Sequence, residues 1–146
     1  MNKLDTNADI FFLGANLTVF LMTSRTADVY PYDPPYKPLY RVPIVLGATT
    51  VMDSATCNLF IMVVKKAPFY CNKLDNAIIN PNQLICYGTM VWDNIFDPNR
   101  GPYLDTCEWG TIYIIPEGTK IGFISHVKTE EELRNLPHIK VTSGLE

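Results

Sequence analysis

The apolar positions of this chain fall into short runs. Ile10 to Leu13, Leu17 to Met22, Val42 to Leu46, Leu59 to Val64, Met90 to Trp92, Thr111 to Ile115 and Lys120 to Ser125 are each rich in β-branched and aromatic residues, with turn formers between them. Runs of that length and content predict strands, and several of them in succession predict a mostly β domain, a small barrel or sandwich. Met52-Asp53-Ser54-Ala55-Thr56 and Pro116-Glu117-Gly118-Thr119 each lie between two such runs and read as hairpin loops.

Helix signals occur at two places. Thr129-Glu130-Glu131-Glu132 is a capping box: the Thr129 hydroxyl accepts from the Glu132 N–H and Glu132 reaches back, while Pro137 limits the helix to about two turns. The stretch Pro81 to Gly88 predicts a second short helix, with Asn80 as N-cap, Pro81 at the first helical position and Gly88 placed to stop it. Between Asp28 and Pro43, Tyr30, Tyr32, Tyr36 and Tyr40 alternate with Pro31, Pro34, Pro35, Pro38 and Pro43. Prolines at that density exclude a long helix, and the plain reading is an extended, polyproline-like loop packed along the domain wall.

Composition narrows the function classes. With 146 residues, 47% of them hydrophobic and 18% charged, the chain is one folded domain with enough apolar matter for a real core. Its net charge is -3, and the 12 lysines and arginines are scattered, so no basic field exists for phosphate and nucleic acid is not an expected direct ligand. Apolar runs such as Leu59 to Val64 fall far short of the roughly 20 residues that span a bilayer. No basic segment feeds an apolar one at the start of the sequence, so the expectation is an intracellular, cytoplasmic protein without membrane contact.

Cys57, Cys71, Cys86 and Cys107 are spaced too irregularly for a disulfide framework in a chain of this size, and are expected to be reduced, mostly buried small hydrophobes. There is no Cys-x-x-Cys pair, and His126 and His138 lack ligand spacing, which disfavours zinc. A Cys-His protease is a weaker alternative. Asn16-Leu17-Thr18 fits a glycosylation sequon, incidental in a protein without a secretory leader.

The candidate chemistry sits near the start. In Leu4-Asp5-Thr6-Asn7-Ala8-Asp9 an acid, a hydroxyl residue, a turn former and an alanine lead straight into the run Ile10-Phe11-Phe12-Leu13. Ordinary surface turns use the same residues. The arrangement is also that of an aspartic-protease loop, in which two carboxylates share a proton and activate water; one loop per chain implies a dimer.

Further segments extend the likeness: Gly14-Ala15-Asn16, Asp28-Val29-Tyr30-Pro31-Tyr32, Val42-Pro43-Ile44-Val45, Ile79-Asn80-Pro81-Asn82-Gln83-Leu84, Tyr87-Gly88, Asp97-Pro98 and Thr129-Glu130-Glu131-Glu132-Leu133. In this order and spacing the chain resembles, over nearly its whole length, the retropepsin-like protease region of copia-type retrotransposon polyproteins.

That resemblance implies a small closed β-barrel of the acid-protease type over residues 1–127, followed by a short helix and C-terminal extension over 128–146. It implies a homodimeric endopeptidase that processes a polyprotein, with no metal or cofactor. Asp5, Thr6 and Asn7 would form the catalytic loop: Asp5 from each chain makes the dyad, Thr6 locks the loop across the dimer axis, and the Asn80 to Leu84 segment, following a crossover at Ile78-Ile79, would pass beside Asp5 to buttress it. Ala8 and Asp9 would line the substrate cleft, Asp9 holding substrate backbone. Tyr32, Asp33, Pro34, Pro35 and Tyr36 would form a flap over the peptide, with its tip at Asp33 to Tyr36.

Two departures qualify what the resemblance implies. Asn stands where the family pattern has Gly at Asn7 and Asn80; Asn tolerates the left-handed backbone that Gly is used for, but adds bulk. Only four residues precede Asp5, fewer than the strands such domains carry there, so a fragment of a longer polyprotein is expected. The alternative is a catalytically inactive, retroelement-derived interaction module with the same barrel.

Overall fold

Most of the apolar runs become strands, while Ile10 to Leu13 contributes isolated bridges. A computed structural model describes residues 1–5, 10–30, 37–70, 74–99, 101–107, 110–118 and 120–142. In chain order the elements are β1 (Asn2–Leu4), β2 (Thr18–Val29), β3 (Leu39–Met52), β4 (Leu59–Pro68), β5 (Ile78–Ile79), α1 (Pro81–Cys86), β6 (Met90–Trp92), β7 (Tyr103–Asp105), β8 (Thr111–Tyr113), β9 (Ile115–Glu117), β10 (Lys120–Phe123), α2 (Glu130–Asn135) and β11 (His138–Lys140).

The architecture is mostly β, as the patterning predicts. Three sheets form, in the orders β5-β1-β10-β9, β11-β4-β3-β2 and β6-β7-β8. Among the described residues these sheets are not closed into a barrel. The first two meet at isolated bridges, Leu13 with Phe69 and Thr50 with His126.

One apolar cluster draws on all three sheets and α1; Phe11, Leu13, Phe60, Ile79, Leu84, Leu104 and Phe123 are almost wholly withdrawn from solvent. Strand β4 is buried on both sides: Phe60, Met62 and Val64 enter this cluster, while Ile61 and Val63 pack with Ala48, Phe20, Leu46 and Leu136. That explains its unbroken apolar run, since a strand covered on two faces has no reason to alternate.

Several elements exceed their expected bounds. β2 and β3 extend well beyond Leu17 to Met22 and Val42 to Leu46, pairing as far as Val29 with Leu39 through three register shifts. The added residues, such as Thr23, Arg25 and Asp28, are polar because this arm is exposed over much of its surface. The loop between β9 and β10 is tighter than expected, because Pro116 and Glu117 are already in the ladder, paired with Ile121 and Lys120. Both helices form with the expected caps, and the full capping box at Thr129 and Glu132 is present. After residue 127, α2 leads into β11, which pairs in parallel with β4 and places Ile139 and Val141 in the core.

Cys57, Cys86 and Cys107 are exposed and free, which corrects the expectation of burial. Cys57 and Cys107 occupy turn positions with φ of 62°, and Cys86 ends α1 on its outer side, so turn geometry and helix facing decide their exposure. Cys71 lies outside the described residues.

Candidate active site

Strand β1 ends at the candidate catalytic acid. It runs antiparallel to β10 and parallel to β5, with Lys3 opposite Ile78 and Leu4 opposite Ile79. The ladder continues through half-buried Asp5, whose N–H donates to the Ile79 carbonyl at 3.0 Å. On the other side of β5, Phe12 and Ile78 exchange both backbone hydrogen bonds at 2.9 Å. β5 therefore lies between the strand that enters the Asp5 loop and the segment that leaves it. The expected adjacency of Asp5 to the Asn80 to Leu84 stretch is what the structure has.

Helix α1 follows directly and holds the far end of the loop. Asn80 caps it, accepting from the N–H groups of Asn82 and Gln83, and Pro81 sits at the first helical position. Gln83 then turns back to accept from the Phe11 N–H at 3.1 Å. Residues 6–9 are thus spanned by two anchors, Asp5 on Ile79 and Phe11 on Gln83. Asn80 has φ of -86° and ψ of 112°, so the left-handed conformation expected there does not occur. Asn suits this position as a helix cap, a role glycine fills without a side-chain acceptor.

A buried polar network fixes β1 itself. Asn2 is fully buried; its amide donates to Ser125 Oγ at 2.8 Å and towards the Phe123 carbonyl, and its carbonyl accepts from the Asn16 amide. Asn16 in turn accepts from the Ala77 N–H at 3.0 Å, just before β5. Opposite Lys3, a Cβ on Gly122 would collide with the backbone carbonyl oxygen of Asn2, so only glycine permits this approach of β10 to β1. The sequence reading missed Asn2, Asn16 and Gln83 as supports, because isolated amides look like surface residues until the pairing is known.

The arm made by β2 and β3 runs out to Val29 paired with Leu39. At its base, a cleft of about 240 Å³ is lined by residues 38–43 together with Phe69 and Tyr70. Tyr70 stacks on Phe12 with ring centroids 5.3 Å apart, and burial pushes its hydroxyl above the ordinary tyrosine range. Counting ladder steps from β1 through β5 and Phe12 to Tyr70 puts the cleft roughly 14 Å from the Asp5 strand. Its walls of Pro38, Leu39, Val42, Phe69 and Tyr70 suit an apolar side chain, and Tyr40 and Arg41 also line it.

Of the residues expected to form the site, Asp5 is placed. Thr6, Asn7, Ala8 and Asp9 of the loop, and Tyr32, Asp33, Pro34, Pro35 and Tyr36 of the expected flap, lie outside the described residues. Among the described residues, no three His, Cys, Asp or Glu side chains cluster to hold a metal ion, and no helix is long and apolar enough to cross a membrane.

Comparison with known proteins finds no matching family model, curated protein or solved structure.

Proposed function

We propose that this chain is a retropepsin-like aspartic endopeptidase domain of a retrotransposon-type polyprotein, acting as a homodimer with one Asp5 per chain. The observation that carries the reading is the seating of Asp5: its strand lies against β5, and β5 leads straight into a capped helix that holds the other end of the same loop. An acid used with a symmetry-related copy of itself must be held rigidly, and two anchors six positions apart, at Asp5 and Phe11, do that. The bridges Leu13–Phe69 and Thr50–His126 support a barrel-like enclosure in which the open sheets are successive parts of one wall. The β2–β3 arm, with its proline-tyrosine end, supports the flap assignment.

In this mechanism the ionised Asp5 carboxylate takes a proton from water as the oxygen attacks the scissile carbonyl carbon. The protonated Asp5 of the other chain donates to the carbonyl oxygen. Collapse of the tetrahedral intermediate then delivers a proton to the departing amide nitrogen and cleaves the C–N bond. Residues outside the described segments complete the loop: Thr6 ties it across the dimer axis, and Asn7 takes the position of the family's glycine.

The test is cleavage of a peptide library by the wild type and by Asp5→Asn, each checked for dimerisation. Asp5→Asn should abolish cleavage while leaving the circular dichroism spectrum and thermal midpoint nearly unchanged. Cleavage undiminished by this change would exclude the aspartic mechanism. A folded dimer inert on every peptide would favour the non-catalytic interaction module.

A further inference from the structure

The third sheet presents a row of aromatics on one face. In β6-β7-β8, Trp92 pairs with Tyr103 and Tyr103 with Tyr113, so all three side chains stand on one face. The opposite row, Val91, Leu104 and Ile112, packs into the core. The aromatic row therefore faces outward: Tyr113 is 55% and Trp92 37% exposed, and Phe96 in the following loop is 86% exposed. The indole N–H of Trp92 donates to Asp97 at 3.1 Å, which fixes one rung.

The chemistry around this ladder is acidic. Asp105 shares its face, being two positions from Tyr103 on the same strand, and Asp93 and Asp97 flank Trp92. Among the described residues from Met90 to Tyr113 the charged side chains are Asp93, Asp97 and Asp105. A phosphate backbone is repelled by such a surface, whereas a cationic peptide is drawn to it.

From this geometry we infer that the Trp92–Tyr103–Tyr113 face binds an extended, proline-rich peptide carrying basic residues. Three rungs at the strand spacing of about 4.8 Å span about 9.6 Å across the sheet. One turn of a polyproline helix rises about 9.3 Å in three residues, so a peptide crossing the strands presents one turn to the ladder, with its rings in the two grooves between rungs. Such a helix is already ordered before binding, and tyrosine and tryptophan offer rigid apolar faces with polar tips. Basic residues at every third position share one edge of that helix and meet Asp93, Asp97 and Asp105. This surface is separate from the proposed cleavage reaction, and its occupancy does not depend on it.

The test uses a synthetic peptide of repeated Pro-Pro-Arg triplets, titrated into the full chain and followed by calorimetry and by NMR of the tryptophan indoles. Saturable binding is expected. Tyr113→Ala and Trp92→Ala should each weaken it about tenfold, equivalent to about 1.4 kcal/mol. Leu21→Ala, an exposed residue of β2, should leave it unchanged. Pro-Pro-Glu triplets should not bind, and Ala-Ala-Arg triplets should bind at least about tenfold more weakly. Because Tyr113 is more than half exposed, its variant gives a readout if Trp92→Ala misfolds. The inference is overturned if the folded chain ignores Pro-Pro-Arg, if binding survives Tyr113→Ala, or if Ala-Ala-Arg binds equally well. It is equally overturned if the face takes an oligosaccharide instead, or is covered by a second copy of the chain without peptide.

Discussion

Gln83, on the helix that follows β5, accepts a hydrogen bond from the backbone N–H of Phe11, across 72 positions of sequence. This contact joins the exit of the candidate catalytic loop to the element that buttresses its entrance. Gln83→Ala should cost about 1 kcal/mol of stability, a typical value for one such bond. If the loop acts in catalysis, the same change should lower kcat far more than stability, because the Asp5 carboxylates lose their fixed spacing. Urea denaturation and peptide cleavage on one preparation separate the two effects.

Gly122→Ala tests the seating of β1 from the other side. The added methyl meets the Asn2 carbonyl oxygen, so β10 and β1 must separate and the buried Asn2–Asn16 network must stretch. A loss of about 1–3 kcal/mol is expected from overpacking, measured by chemical denaturation. Amide exchange at Asp5 and Ile79 should accelerate together.

The acid limb of stability should report Asp53 first. This residue is 4% exposed and begins the β3–β4 turn, accepting from the Thr56 hydroxyl and from the Thr111 and Ala55 N–H groups. The Thr56 hydroxyl, then the Thr111 amide, hold its carboxyl below the ordinary carboxylate range despite burial. Its folded pKa being depressed, the stabilisation is fully present above the unfolded value near pH 4 and is lost as pH falls through the folded value. Asp53→Asn should flatten the decline of the urea midpoint below about pH 4, and Asp53→Ala should cost about 3 kcal/mol at neutral pH.

Glu132 should contribute in the same direction. Burial pushes its carboxyl up, but the hydrogen bonds from His126 at 2.8 Å and from the Thr129 N–H outweigh that and hold it low. The buried Thr50 hydroxyl lies close enough to favour the charge, short of hydrogen-bonding geometry. Glu132→Gln should therefore remove part of the same acid sensitivity, read from the same midpoint titration.

Thiol chemistry gives an independent check on the fold. Cys57, Cys86 and Cys107 should all react with a soluble disulfide reagent in the native state, without denaturant. Fewer than three fast thiols in the reduced native protein would contradict the placement of these turns and of the outer side of α1.

Local signals sufficed wherever a residue acts on its immediate neighbours. Asn80 with Pro81, and Thr129 with Glu132, announce their helices because a cap and its helix lie within four positions. The extended β2 was missed because Thr23, Ser24, Arg25 and Thr26 have no apolar alternation; only pairing with β3 makes them a strand. β11 has three residues, and its strand character comes from lying beside β4. Within the site, the position of Asp5 beside Ile79 followed from the order of segments. The anchors Asn2, Asn16 and Gln83 did not, since each acts on a residue far away in the chain.

The parallel pairing of β1 with β5 carries a cost in time. Its two strands are about seventy-five positions apart in the chain, and β10 lies further on still. During synthesis at about 5–20 residues per second, β1 waits several seconds before either neighbour leaves the ribosome. Through that interval Asn2 lacks the partners that bury it, and the carboxylate of Asp5 stands on an unpaired edge. Contacts of such long loop closure form slowly, so the assembly of this region should set the folding rate and be where a nascent chain is most open to chaperones or to pairing with a neighbouring chain.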